Sequence, residues 1–425
     1  MKRRFSMQQA LIALLMAAAL PAFGEEPRRQ PGASVESLLE VARQQNPELA
    51  AMRLEADAAA ERVTPAGALP DPKFRTEFRD ITKMGTQDAT LSPSRVGSTK
   101  YLVMQDIPWF GKRDLKRQIA ELEAEGARGK SFGTWAELAG RIKGAYAQSY
   151  YLARSERLTR EILDLFARLE TVARTRYAGG LATQQDVIRA QVEQSNLKTE
   201  LVAIENQRRA LHSRLNALLG RSPASPLADP EKLRPIPAPA KLDYAALEER
   251  VRARNPRLFA DDARLKAAEK SRELTYKNRY PDFNIGISPI QYGNAVKEWE
   301  LMVEINIPLQ QGSRRAQERE AEAMLAAAKA RKEATANEVL AELSEQLAGI
   351  DAARRTETLI ATSLLPQSEL SYRAAVAAYE NGKVDFATLM EAQRQIRQAK
   401  QNQIKAQAEA QARLADIERL LGEEL

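Results

Sequence analysis

The 425-residue chain contains no cysteine and one histidine, His212. Without cysteine, disulfide bonds and thiolate metal sites are excluded. A single histidine argues against a histidine-rich metal site and against Ser-His or Cys-His catalysis. The sequence contains no nucleophile–base pair, metal-ligand constellation or phosphate-binding loop. We therefore predict no cofactor, no metal site and no enzymatic activity.

Long hydrophobic runs are also lacking, apart from a short one at the N-terminus. Lys2, Arg3 and Arg4 precede an apolar stretch over residues 10–20, and Ala22, Phe23 and Gly24 follow. A membrane-spanning helix needs about 20 apolar residues, roughly twice this run. We therefore predict that residues 1–24 are a secretory signal peptide. If the mature chain enters a membrane, it must do so as strands.

Aromatic residues make up only 6% of the chain, and the net charge of +7 is small beside 64 basic and 57 acidic residues. Lys and Arg alternate with Glu and Asp instead of clustering, so no nucleic-acid partner is predicted. Abundant Ala, Glu, Gln, Leu and Arg are typical of long helices and coiled coils. We expect a mainly α protein with a small β part.

An internal duplication organises the chain. The segment YAGGLATQQDVIRAQ at 177–191 matches YENGKVDFATLMEAQ at 379–393 without a gap, and Asn46-Pro47 matches Asn255-Pro256. Two tandem copies of one unit are therefore predicted. Repeat 1 covers residues 25–220, a proline-rich connector covers 221–242, and repeat 2 covers 243–425.

Each repeat is predicted as a helix, a β-hairpin, a long helix, a turn and a shorter helix. Leu340, Leu343, Leu347 and Ile350 follow the spacing of a coiled-coil seam, which indicates packed long helices. The predicted elements of repeat 1 are a helix at 34–63, a hairpin at about 71–107, a long helix at 112–176 and a helix at 183–219. Those of repeat 2 are a helix at 243–278, a hairpin at about 282–308, a long helix at 313–378 and a helix at 385–421.

The strand residues alternate between apolar and polar. In EWELMVEINIPL, Trp299, Leu301 and Val303 form an apolar face, and they alternate with Glu298, Glu300, Met302 and Glu304, a face that is mostly charged or polar. This is the pattern of a membrane barrel strand, although a two-faced strand of an ordinary sheet would look similar. Two hairpins supply four strands, too few to close a barrel. Three chains give twelve strands with a lumen, so we predict a homotrimer.

Two stretches connect a strand to a long helix through Ile-Pro and a glycine: QDIPWFGKR at 105–113 and INIPLQQGSRR at 305–315. With the duplication and the two Tyr-x-x-Gly turns, they resemble the TolC-like outer-membrane efflux factors over essentially the whole mature chain. The Pro-Asp-Pro at 70–72 and the Ile-Pro-Trp-Phe-Gly-Lys-Arg stretch look most like the CusC-type and CzcC-type channels of heavy-metal efflux.

The resemblance implies a trimeric twelve-stranded β-barrel in outer-membrane lipid, continued by a long α-helical barrel across the periplasm of a Gram-negative bacterium. It implies a passive exit duct whose partners are a periplasmic adaptor (membrane fusion) protein and an inner-membrane pump of the resistance-nodulation-division type. The cargo would be heavy-metal cations.

The resemblance also assigns residues to sites. The helical hairpin tips that meet the adaptor would contain Gly180, Leu181, Thr183, Gly382, Val384 and Asp385. The glycines would in any case permit the tight turns, and Thr183 and Asp385 would cap helices.

Asp186 and Glu391 lie where relatives narrow the periplasmic entrance, and a trimer would turn each into a ring of three carboxylates. The simpler interpretation is a solvated charge on a helix face. Arg189 is a candidate partner for Glu391. Pro366 would kink only the second long helix, since Asp164 stands at its place in repeat 1, and we expect this asymmetry to help the second hairpin swing outward.

A different class of protein, a periplasmic coiled-coil adaptor or structural spacer, would also explain the helices and the export signal. It would not explain two hairpins with apolar and polar faces at corresponding places in the two repeats. We therefore favour the channel.

Overall fold

A computed structural model describes residues 30–425, so the predicted signal peptide lies outside the described residues. In the first half of the chain the elements are α1 (Val35–Gln45), α2 (Pro47–Glu61), α3 (Val63–Gly67), β1 (Lys73–Arg79), β2 (Ser98–Ile107), α4 (Lys112–Ala178) and α5 (Gln184–Leu218). In the second half they are α6 (Tyr244–Arg254), α7 (Pro256–Lys277), β3 (Asp282–Tyr292), β4 (Ala295–Asn306), α8 (Gln311–Leu359), α9 (Leu365–Glu380) and α10 (Phe386–Leu421). The connector contains a 3₁₀ turn, Pro239–Leu242.

Long helices dominate the described chain. The 67 residues of α4 extend over about 100 Å at 1.5 Å per residue. The 35 residues of α5 and the 36 of α10 are about half that length. Helix α10 of the second half packs against α4 of the first, so the two repeats share one body. Within residues 30–425, no helix combines the length and apolarity that crossing a membrane requires.

The first predicted helix of each repeat, 34–63 and 243–278, is divided in the structure at an Asn-Pro pair. Pro47 and Pro256 each start a new helix because proline has no N–H to continue the preceding one. The Asn46 side chain caps α2 by accepting from the Leu49 N–H at 2.9 Å. Asn255 caps α7 in the same way.

These two asparagines also join the ends of each repeat. The Asn46 amide donates to the Leu218 carbonyl at 2.8 Å, and the Asn255 amide donates to the Leu420 carbonyl at 2.8 Å. Both asparagines are buried. Each one therefore caps the start of one helix and donates to one C-terminal carbonyl of another.

The four strands form one antiparallel sheet in the order β1-β2-β3-β4. Its register places Phe74, Val103, Ile287 and Leu301 in one row across the sheet, so these side chains share a face. Phe74 and Leu301 are 66% and 74% exposed. Lys73, Met104, Gly286 and Met302 form a row on the opposite face. The sheet therefore has an exposed apolar face, a more polar face, and two open edges at β1 and β4.

The second long helix is interrupted near Pro366. A π-helical turn, Ile360–Leu364, separates α8 from α9, and the Leu365 N–H donates to the Ile360 carbonyl five residues back. Pro366 lacks the N–H that the Thr362 carbonyl would accept in a regular helix. The corresponding part of α4 runs through Asp164 without interruption. The two repeats thus differ at this position.

We predict that Asn46→Ala and Asn255→Ala each destabilise the protein by about 1–3 kcal/mol, because each leaves a buried carbonyl and a helix start without a partner. Thermal unfolding in detergent, followed by circular dichroism, measures the effect. Asn206→Ala on the exposed face of α5 is the matched control and should leave the melting temperature unchanged. Equal melting temperatures for all three variants would refute the joining role.

Candidate functional site

The first helical hairpin turns at the predicted tip residues after α4. Gly180 has φ +71°, which glycine adopts without strain. The Leu181 N–H donates to the Arg176 carbonyl at 2.8 Å, and the Gly180 N–H donates to the Tyr177 carbonyl at 3.0 Å. These bonds satisfy the last carbonyls of α4. The Leu181 side chain is left 70% exposed at the end of the hairpin.

The second hairpin repeats this geometry between α9 and α10. Gly382 also has φ +71°, and the Lys383 N–H donates to the Ala378 carbonyl at 2.8 Å. The Asp385 carboxylate caps α10, accepting from the Thr388 N–H at 2.9 Å and from its hydroxyl at 2.7 Å. Val384 is half-buried against the core of the hairpin, unlike Leu181 in the first turn.

The two tips are joined by a contact between Arg176 and Tyr379 that was not predicted from the sequence. The Arg176 guanidinium donates to the Glu380 carbonyl at 3.0 Å and lies 4.9 Å from the centre of the Tyr379 ring. Such a contact is a cation–π interaction. The Tyr379 ring also packs against Phe386, with 5.5 Å between ring centres. The hairpins of the two repeats therefore meet at their ends.

Asp186 lies beside this contact. Its carboxylate accepts from the Thr183 N–H at 3.2 Å at the start of α5, which is a helix-capping role. Burial, and then the negative charge of Asp186, raise the pKa of the Tyr379 phenol. Thr183 is the N-cap of α5, as predicted, and forms a capping box with Asp186.

Glu391 occupies a different environment. Its side chain is 60% exposed, and its nearest cation is Arg394 at 3.9 Å. The predicted pairing of Glu391 with Arg189 is wrong. Arg189 instead lies close enough to Asp385 to help lower the pKa of that carboxyl, after the two Thr388 hydrogen bonds. No hydrogen bond or ion pair links Asp186 to Glu391 within the described chain.

Behind the tips, a ladder of charged groups joins α5 to α10. Glu193 is buried, and its two carboxylate oxygens lie 3.5 Å from Arg394 and 3.7 Å from Arg397. Arg397 also reaches Glu200 at 3.4 Å, and Gln401 donates to Glu200 at 3.0 Å. A buried carboxylate needs such partners, because burying an unpaired charge is costly.

The sequence carries a signal for the buried position of Glu193. Glu193 stands between Ala190 and Leu197, with the spacing of the α5 seam, and both neighbours are fully buried. A charged residue in a seam position indicates a buried ionic contact. Among residues 30–425, no group of three or more His, Asp or Glu side chains is arranged to hold a metal ion.

The site is therefore a polar end of a helical bundle. Its elements are two tight turns with exposed tips, an arginine and a tyrosine that join them, and carboxylates near the N-terminal ends of α5 and α10. Together with a sheet whose apolar face is exposed, this arrangement is typical of an outer-membrane channel with a helical extension.

Comparisons with known proteins identify the class. The sequence profile described as outer membrane efflux protein matches residues 38–221 and 247–423. The chain is 25% identical over 405 residues to the cobalt-zinc-cadmium resistance protein CzcC of Cupriavidus metallidurans, covering 92% of this chain and 90% of CzcC.

Two solved structures share the fold. The outer membrane protein VceC of Vibrio cholerae superposes with a TM-score of 0.78 at 18% identity, covering 92% of this chain and 96% of VceC. The channel protein CusC superposes with a TM-score of 0.79 at 14% identity, covering 92% of each chain.

The fold and the site thus define an outer-membrane efflux channel subunit that extends into the periplasm. The chain belongs to the outer membrane efflux protein family. The mainly α fold class with four strands and the resemblance to TolC-like efflux factors are confirmed. Members of this family are channels that work with an adaptor and an inner-membrane pump in tripartite systems.

We predict that Gly180→Ala destabilises the first tip by about 1 kcal/mol, because alanine is strained at φ +71°. No other atom lies within 4 Å of the position that a Cβ would take, so the cost comes from the backbone alone. Gly179→Ala is the matched control, since Gly179 has φ −85°. Limited proteolysis at the tip measures both: cleavage should be faster for Gly180→Ala only, and equal rates would contradict the prediction.

Proposed function

We propose that three copies of this chain form a closed homotrimeric channel, a passive duct that exports heavy-metal cations. The observation that carries the proposal is the four-stranded sheet, with its exposed apolar face and its two open edges, placed directly before helices about 100 Å long. In a barrel the apolar face would contact lipid, and the opposite face would line the water-filled lumen.

The homotrimer follows from strand number. Four strands leave the backbone groups of β1 and β4 unpaired, and hydrocarbon offers these groups no partner. Two copies would give eight strands, whose interior is filled by side chains. Three copies would give twelve strands and an open lumen. The helices of each copy would continue this lumen into the periplasm.

The hairpin tips are the proposed contact with the periplasmic adaptor. Gly180, Leu181, Thr183 and Gly382 are exposed at the ends of the hairpins, where a partner has access. Asp385 is also exposed but caps α10, and Val384 packs inward. The exposed Leu181 side chain is therefore the strongest candidate for direct contact. The energised partner would be an inner-membrane pump of the resistance-nodulation-division type.

Heavy-metal cations are the proposed cargo on two grounds. CzcC is named for cobalt-zinc-cadmium resistance and aligns with this chain over nearly its whole length. The entrance would also carry carboxylates: in a trimer the exposed Glu391 would form a ring of three, which attracts cations. Asp186 would contribute less, because its carboxylate is half-buried and already hydrogen-bonded.

A periplasmic coiled-coil adaptor or spacer is the alternative. It would account for α4 and α8 but would not explain a sheet with exposed apolar residues such as Trp299 and Leu301. We therefore retain the channel as the single proposal.

Single-channel recording in planar bilayers tests the entrance. Glu391→Gln removes three charges per trimer, so we expect the cation-to-anion permeability ratio to fall at least about twofold. Asp186→Asn should change the ratio less, because the amide oxygen still accepts from the Thr183 N–H. Glu61→Gln, at the C-terminal end of α2, is the control, because Glu61 is distant in sequence from both Asp186 and Glu391. An unchanged ratio in Glu391→Gln would rule out the carboxylate ring.

Pro366 supplies a second test, on gating. We propose that the π-helical turn before Pro366 lets the second hairpin bend outward when the entrance opens. Pro366→Ala restores a donor for the Thr362 carbonyl and should stiffen the helix, so the fraction of time spent open should fall. Asp164→Ala, at the equivalent exposed position of α4, should leave gating unchanged. Identical open fractions in wild type and Pro366→Ala would overturn the idea.

A further inference from the structure

The two edge strands of the sheet have opposite charges on their polar faces. On β1 this face holds Lys73, Arg75, Glu77 and Arg79, three basic residues and one acidic. On β4 this face holds three acidic residues, Glu298, Glu300 and Glu304, and two uncharged ones, Met302 and Asn306. The register assigns the face, because Lys73 and Met302 lie in one row through Met104 and Gly286. Lys297 lies at a bulge and is outside the paired ladder.

Some of these charges are already balanced inside the protomer. Lys73 pairs with Asp106 at 2.7 Å, and Lys100 donates to Glu300. Arg75 is only loosely paired, with Glu77 at 3.8 Å.

In the part of the chain that the structure describes, Arg79, Glu298 and Glu304 have no ion-pair partner. The hydroxyl of Tyr292 donates to Glu298 at 3.2 Å, which leaves that charge unbalanced. Excess positive charge therefore remains along β1, and excess negative charge remains along β4.

Backbone hydrogen bonding alone does not decide which edges meet. Two β4 strands from different copies could pair antiparallel about a two-fold axis, keep their apolar faces on one side and form an open eight-stranded sheet. Such a pair would point the helices of the two copies in opposite directions, and because it joins like edges it could not build a three-fold ring. A β4–β1 seam is head-to-tail, so it repeats from copy to copy and can close.

We propose that the opposite charges of the β1 and β4 polar faces select the head-to-tail seam between copies and disfavour β4–β4 pairing. The inference rests on the proposed homotrimer and identifies the residues that direct its assembly. In a β4–β4 pair the Glu298 and Glu304 carboxylates of two copies would share one surface. In a β4–β1 seam they would share it with Arg75 and Arg79.

The charges act by making β4–β4 pairing less favourable than β4–β1 pairing. Exposed ion pairs contribute little to stability, and the seam owes its affinity to backbone pairing and apolar burial. Like charges on facing strands are unfavourable, however, and opposite charges are favourable, so two otherwise similar pairings separate in free energy. Charge complementarity of this kind mainly sets specificity and the rate of encounter.

Charge reversal tests the inference on the full-length protein refolded into detergent at low salt. The acidic-edge variant is Glu298→Lys with Glu304→Lys, and the basic-edge variant is Arg75→Glu with Arg79→Glu. Lys73 and Glu300 are kept, because both have partners within the protomer. We expect each double variant to form trimer at least about tenfold more slowly than wild type, because like charges then face each other across the seam.

The four-fold variant that carries both reversals keeps complementary edges and should assemble at the wild-type rate. The neutral pair Glu298→Gln with Glu304→Gln is the size-matched control and should accumulate two-chain species during refolding, because the repulsion between β4 strands is gone. High salt should bring all variants closer together.

The outcomes separate the two proposals. If wild type is not a trimer, the homotrimer fails, and the seam inference fails with it. If wild type is a trimer and the double reversals assemble at the wild-type rate, only the seam inference is overturned. Slow assembly of the four-fold variant would also overturn it, because complementary charges would then not be sufficient. Circular dichroism of each variant before assembly confirms that its helices have formed.

Discussion

A backbone N–H or carbonyl that faces hydrocarbon without a hydrogen-bond partner costs several kcal/mol, and most of this protein's architecture depends on that cost. The four-stranded sheet has an apolar face suited to lipid but leaves β1 and β4 with open edges. One chain therefore cannot satisfy its own backbone in a membrane. The duplication supplies two hairpins per chain, and in the proposed channel further copies supply the remaining strands. The proposed oligomer and its lumen are consequences of this one requirement.

The helical part answers a different requirement, which is to hold long helices together with few aromatic residues. Small and aliphatic side chains fill the seams, and polar joints fix the ends of the helices. Asn46 and Asn255 make equivalent hydrogen bonds in the two repeats. Each donates to a carbonyl in the last turn of its repeat's final helix. Lys143 on α4 binds Glu418 of α10 at 2.7 Å, and Arg234 of the connector binds the same carboxylate at 2.8 Å. These ion pairs hold the two repeats together. Of the two long helices, only the second has a π-helical turn.

The strands, the tight turns and the duplication could be predicted from the sequence, because they depend on local patterns. The alternation in β4, the glycines of the two turns and the matched segments at 177–191 and 379–393 each report on their own neighbourhood. Resemblance to efflux factors then connected these parts into a fold. The division of the first helices at Asn46 and Asn255 was also readable, since a proline after a capping residue starts a helix, but the apolar periodicity on both sides concealed it.

Other features depend on which helices meet, and no local pattern determines that. The contact between Arg176 and Tyr379 joins residues about two hundred positions apart. The same is true of the ladder from Glu193 to Arg394 and Arg397. Asp186 was assigned to an entrance ring, yet its carboxylate is held by the Thr183 N–H, so local capping competes with the role that the family suggests. Arg189 was assigned to Glu391 and instead lies near Asp385.

Electron cryo-microscopy of the detergent-purified protein tests the central claim most directly, because it shows the number of copies and the number of strands in one experiment. We expect a particle with three-fold symmetry, in which β4 of each copy pairs with β1 of the next and twelve strands enclose an open lumen continued by the helices. A monomer with free β1 and β4 edges, or a two-fold particle joined through β4, would contradict it.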